Sequence, residues 1–210
     1  MKRLVFLPLA AFVLTSCSQD ITPPPADAPD VSPLFSSVHL KGGKNAKPGY
    51  SDFGLTLATT ASVSGLGNGD LIVELTAHGN VDSRCGNPGL TQWQAPGQNP
   101  APVTVTGGIA VPGDELKNGN LEFTVSTAVP PDAGPRPAVA GDECPNTSWT
   151  YEVVDISFTD ATISIFQPSD IFSDPWIKGP LVFQLRCDII AASLNEVPIP
   201  GGQILNCTEL

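Results

Sequence analysis

The chain is expected to fold as an all-β protein, an antiparallel β-sandwich, and three observations predict this. Gly and Pro contribute 20 and 22 of the 210 residues while only 15% are charged, against ~25% in ordinary globular domains. That composition suits strands and tight turns better than helices. Apolar and polar residues alternate with a period of two in one segment after another, the pattern of strands with one buried face. Between these segments stand Asn-Gly and Gly-rich turn signals.

Taken in order, the first strand candidate runs from Phe53 to Val63 and is rich in Thr and Ala. The next is Asp70 to Thr76, where Leu71, Val73 and Leu75 share a face opposite Ile72, Glu74 and Thr76. Val103 and Val105 alternate with Thr104 and Thr106, and Leu121, Phe123 and Val125 with Glu122, Thr124 and Ser126. Val154, Ile156 and Phe158 alternate with Asp155 and Ser157, then Ile163 and Ile165 follow, and Thr159-Asp160-Ala161 between them reads as a turn signal. Leu181, Phe183, Leu185 and Cys187 close the series. Gly65 to Asp70 and Asn118-Gly119-Asn120 are the other turn signals, and Pro130 to Gly141 reads as a long loop. The best helix candidate, Ile189 to Glu196, is under three turns long. Seven to nine such strands in one domain point to an Ig-like sandwich.

The N-terminus carries a different signal. Lys2 and Arg3 precede an eleven-residue apolar run, Leu4 to Leu14, too short for the ~20 residues that a membrane-spanning helix needs. The run ends in Leu14-Thr15-Ser16-Cys17, which resembles the lipobox of bacterial lipoproteins. That resemblance implies cleavage before Cys17, lipid (including palmitate) on its sulfur, and attachment to the cell envelope. Ser18 rather than Asp follows the cysteine, which by the family's sorting rule implies the outer membrane, facing either periplasm or exterior. Ser18 to Pro33 then holds five prolines and three aspartates with almost nothing apolar, the composition of an unpacked spacer. The organisation expected is a signal peptide over 1–16, a lipidated Cys17 with a spacer over 17–50, and one sandwich domain over 51–210. Val63 to Asn68, Ala95 to Pro100 and Cys144 to Trp149 further resemble segments of uncharacterised secreted bacterial Ig-like proteins. The likeness implies fold and compartment and carries no activity.

Four cysteines remain beyond Cys17: Cys85, Cys144, Cys187 and Cys207. An even number in an oxidising compartment predicts two disulfides, and none forms a C-x-x-C pair suited to zinc or redox chemistry. Three pairings are possible. Cys85 and Cys144 sit in similar turn-rich settings and Cys187 and Cys207 each end an apolar run, which favours Cys85–Cys144 with Cys187–Cys207.

Without its leader the chain carries 8 basic and 21 acidic residues, a net −13, which disfavours nucleic-acid binding. Catalytic side chains are scarce. The histidines are His39, beside the spacer, and His78, which follows the strand candidate and reads as a surface-loop residue near Asp82 and Ser83, with no G-x-S-x-G elbow to present a nucleophile. The adjacent acids Asp114-Glu115 and Asp142-Glu143 fall in loops, and the repeated D-x-D-x-D-G pattern of calcium loops is absent. No catalytic residue, metal or cofactor is therefore expected. Trp93 and Trp176, flanked by Gln, Asp and Ser, are the candidates for ligand binding, whereas Trp149 near Cys144 suits a core role. The expected function is a membrane-tethered, non-catalytic binding or structural module whose partner is an envelope protein or a glycan. Carbohydrate binding through the exposed tryptophans is the alternative, and a hydrolase built on His78, Asp82 and Ser83 the most remote.

Overall fold

A computed structural model describes residues 38–43, 45–97, 100–142, 144–168, 170–172, 175–189 and 204–210. The segment expected to be a signal peptide, Cys17, most of the expected spacer and residues 190–196 of the helix candidate lie outside these residues.

Alternation builds two antiparallel sheets. The smaller centres on β3 (Leu57–Ser64), paired along its length with β7 (Asn120–Ser126). Its other edge carries β1 (His39–Leu40) and β2 (Gly49–Asp52). The larger sheet runs β6 (Val103–Val111), β4 (Leu71–Gly86), β9 (Thr150–Phe166), β10 (Leu181–Ile189) and β11 (Ile204–Glu209). Two short strands, β5 (Trp93–Gln94) and β8 (Arg136–Pro137), flank the far ends of β4 and β9. A 3-10 turn at Gly113–Glu115 precedes β7.

The core lies where the two alternating faces meet. Leu57, Ala61 and Val63 of β3 and Leu121, Phe123 and Val125 of β7 pack against Leu71, Val73, Leu75 and Ala77 of β4 and Ile156, Phe158, Ile163 and Ile165 of β9. Fully burying each Leu, Ile, Val or Phe contributes roughly 1.5–3 kcal/mol, so this interdigitated layer is the main source of stability. A smaller cluster of Ala138, Tyr151 and Val153 sits beside it, with Leu55, Val81, Cys144 and Trp149 packed around. Trp149, expected in the core, is only partly buried and packs against this smaller cluster rather than between the sheets.

Three expectations are corrected here. Thr159-Asp160-Ala161 is not a turn: β9 runs straight through it, and the change of phase is a β-bulge. His78 opposes Asp160 while Gly79 opposes Phe158, leaving Thr159 as the extra residue. Residues 53–56 are a turn rather than strand, with the Phe53 amide donating to the Thr56 carbonyl at 2.9 Å. The sheet also starts upstream of residue 51, because β1 and the first half of β2 lie in the stretch assigned to the spacer. By contrast, Asn118-Gly119 forms the expected two-residue turn, with φ of 56° and 70° and mutual backbone bonds between Lys117 and Asn120.

The cysteines join as Cys85–Cys144 and Cys187–Cys207, with Cα separations of 5.7 and 4.1 Å. The first ties the segment after β8 to the far end of β4, and the second links directly opposed residues of β10 and β11. Two such bonds fit a non-cytoplasmic protein. Among the described residues no helix is long and apolar enough to cross a membrane.

Candidate functional site

The loop joining β9 to β10 departs most from an ordinary solvated surface. Its neck is clamped: the Gln167 amide donates to the Pro180 carbonyl at 3.0 Å. At Gly179 a Cβ would stand 1.8 Å from the Gln167 carbonyl oxygen, so only glycine lets the two strands of the neck approach this closely. Lys178 reaches back to Glu74 of β4 at 2.5 Å, and its ammonium lies 5.3 Å from the centre of the Phe166 ring. Pro168 and Ile171 turn inward and are buried.

What this scaffold holds out is apolar. Phe172 is 87% exposed, Ile177 66% and Trp176 38%, and the half-exposed Leu181 follows at the start of β10. The Asp170 carboxylate accepts the Phe172 amide at 2.8 Å, which fixes the backbone where the phenyl ring emerges. Trp176 lies along β6, its ring 3.1 Å from where a Cβ on Gly108 would stand, so the absent side chain makes the room it occupies. Protein surfaces scatter large apolar groups singly; three exposed ones, Phe172, Trp176 and Ile177, on a loop with a clamped neck are the pattern of a contact surface. The sequence reading singled out Trp176 but not Phe172 or Ile177. The sequence holds no signal that decides it, since a lone Phe or Ile among Ser, Asp and Pro residues can be either buried or exposed.

Below the loop, the outer face of the larger sheet is polar. Thr106, Thr76, Thr162, Arg186 and Thr208 stand in one row across five strands, and the hydroxyls of Thr76 and Thr106 meet at 3.3 Å. In the next row His78 places Nδ1 2.9 Å from Asp160 Oδ1, and Arg186 approaches the same oxygen at 3.5 Å. His78 is therefore not a loop histidine but sits within β4. Its carboxylate partner is Asp160 rather than Asp82, and Ser83 is a buried residue. The geometry does not assemble the Ser83, His78 and Asp82 constellation as a triad. Asp160 and Arg186 were not foreseen, because only the strand pairing brings them beside His78. Among the described residues no group of three or more His, Cys, Asp or Glu side chains could hold a metal ion.

Trp93 is elsewhere. It pairs with Gly86 at the far end of β4, and the Arg84 guanidinium lies 4.2 Å from its ring centre. Arg84 is itself bound to Glu152, Nε to Oε2, at 2.8 Å. Trp93 remains 37% exposed, but a cation covers one of its faces. Gly86 and Glu74, the β4 residues beside Trp93 and opposite Gly108, are twelve positions apart, or ~40 Å at ~3.3 Å per residue. The two tryptophans thus belong to separate surfaces. Around the same far end, Arg136 grips Asp142 with two bonds of 2.6 and 2.8 Å and stacks 4.6 Å from the Tyr151 ring. That pair holds the Asp142 carboxyl below the usual carboxylate range, helped by the Val139 amide.

No protein-family model, curated protein or solved structure matches this chain.

Proposed function

We propose that this protein is a lipoprotein held at the outer membrane of the cell envelope through Cys17. Its Ig-like sandwich acts, without catalysis, as a docking module whose contact surface is the β9–β10 loop. The observation that carries this reading is Phe172, 87% exposed on a loop whose neck is fixed by backbone and ion-pair contacts. The clamped neck and the Asp170 contact to the Phe172 amide fix the backbone where the phenyl ring emerges, and contact residues held in place lose less entropy on binding. The Ig-like assignment is supported by connectivity. Strands β3 and β7 pair in one sheet, β4, β9 and β10 in the other, and the chain crosses between sheets after β3, β6 and β7. The lipobox Leu14 to Cys17 and the two disulfides support the envelope location.

The reading is tested by placing a photo-crosslinking phenylalanine analogue at position 172 in cells, with Thr124 on the smaller sheet as control. Adducts at 172 well above those at 124 are expected. Equal, background-level labelling at both would overturn the docking assignment.

A second reading, saccharide binding, is favoured by Trp176 standing at the rim of the polar face. Threonine hydroxyls and Arg186 could bond sugar hydroxyls there while the indole stacks on a ring. Binding on a glycan array that disappears in W176A supports it; a blank array removes it.

A further inference from the structure

We infer that the β9–β10 loop seats Phe172 and Ile177 in the interfacial layer of an uncharged lipid surface, giving the protein a second, non-covalent membrane contact beside its anchor. This rests on the docking and anchoring readings above and names the occupant of that surface.

The point of chain entry carries the argument. His39, at the start of the first strand, pairs with Ser64 at the end of β3, immediately before the turn Gly65 to Asp70. The neck of the β9–β10 loop meets the same turn, since a Cβ on Gly69 would strike the Gln167 side-chain nitrogen. His39, beside the first described residue, and the neck of the apolar loop are therefore at one end of the sandwich. Val38 lies 21 residues beyond Cys17, a separation of at most ~75 Å even fully extended at ~3.6 Å per residue. Tethering within that radius raises the effective concentration of the bilayer so far that a weak insertion is enough.

The chemistry of the loop fits a lipid headgroup boundary. Phe172 and Ile177 supply apolar insertion, and Trp176 beside them has the amphipathic ring found at membrane interfaces. Charge selects the lipid. Lys178 is engaged by Glu74, and among the described residues of this end Lys117 stands with Asp70, Asp114, Glu115 and Asp170, so acidic groups outnumber basic ones and form no patch that attracts anionic headgroups. Apolar insertion into a zwitterionic surface is the contact that remains.

The test uses the full lipidated protein in phosphatidylcholine–phosphatidylethanolamine vesicles, with F172W as an emission reporter and T124W as control, both in a W93F/W149F/W176F background so that each carries one tryptophan. Brominated lipids should quench F172W at least ~2-fold more than T124W, and adding phosphatidylglycerol should weaken the effect as like charges approach. In the unsubstituted protein, the loop amides should exchange hydrogen roughly 10-fold more slowly on vesicles than in detergent if insertion shields them. Equal quenching of the two reporters together with unchanged exchange overturns the inference. Crosslinks from position 172 to a protein, without lipid quenching, would overturn the lipid assignment while leaving the docking surface intact. Absence of both quenching and crosslinks would remove the docking surface as well.

Discussion

Removing the Cys85–Cys144 disulfide tests how the far ends of β4 and β9 are held. The bond joins residues 59 apart. In the chain-entropy model a loop of that length constrains the unfolded state by ~4 kcal/mol, and the 20-residue closure of Cys187–Cys207 by ~3 kcal/mol. Each is a large part of the ~5–15 kcal/mol by which domains are stable. At this size one kcal/mol moves the melting temperature by roughly 2–4 °C. C85A/C144A should therefore melt ~8–16 °C below the parent, and C187A/C207A somewhat less far below. The assay is thermal unfolding followed by far-ultraviolet circular dichroism, on oxidised protein, on both double variants and on parent in reductant. Reductant should lower the parent below either variant and leave a molecule lacking both bonds unmoved. A C85A/C144A melting point within ~2 °C of the parent would refute the reasoning. It would mean that Arg136, Asp142 and the small cluster hold the far end unaided.

Three further outcomes follow from the geometry. D142N should melt below the parent at neutral pH, and the difference should close in acid. The folded-state carboxyl lies below its unfolded value, so its contribution is present above the ordinary ~4 and lost as pH falls through the lowered value; melting curves from pH 7 to 2 check this. Asp52 has the opposite sign, because burial, with Asp155 nearby, raises its carboxyl, and stability is lost as pH rises through that raised value. D52N should match the parent in acid and exceed it at neutral pH, by only a few tenths of a kcal/mol for a half-exposed group, measured by urea unfolding. G179A should loosen the loop neck, since its methyl cannot coexist with the Gln167 carbonyl, so protease cleavage within the β9–β10 loop should rise several-fold with little change in melting temperature.

Much of the core was legible in the sequence because alternation is a local consequence of the strand period. Leu71 to Leu75, Leu121 to Val125 and Phe183 to Cys187 point as their spacing requires. What failed were the places where two structures share one signal. A one-residue change of phase marks either a turn or a bulge, and only the partner strand decides; in β9 the partner is β4, whose register slips at His78 and Gly79. For the same reason His78-Gly79-Asn80 looked like the end of a strand that continues to Gly86. The short β1 and β2 were invisible because two to four residues carry too little periodicity to separate from a polar segment. At the candidate site, Trp176 could be named from its composition. Phe172 could not, because the sequence alone does not say whether a lone phenylalanine finds a core.

The length of β4 and β9 explains why the molecule needs its longer disulfide where it is. These strands have 16 and 17 residues, whereas β3 and β7, which cover them, have 8 and 7. The near halves are sealed beneath the smaller sheet. The far halves extend past it, where the small cluster of Tyr151, Val153 and Ala138 and the buried Ser83 and Cys85 stand with a few partly covered neighbours. An antiparallel pair without a covering layer is marginal in water. Backbone bonds from Ala138 to Trp149, the two-bond grip of Arg136 on Asp142, and Cys85–Cys144 together bind the segment 130–149 across this exposed pair as its cover. The other end is closed differently: the β9–β10 loop reaches Glu74 of β4 through Lys178 and buries Ile171. One end is therefore stapled and the other covered by a loop that still displays Phe172. Stability can reside in the first while the second stays open for contact, so F172S should alter docking and leave the melting temperature within ~1 °C of the parent. A larger thermal loss would show that the exposed phenyl ring supports the fold rather than a partner.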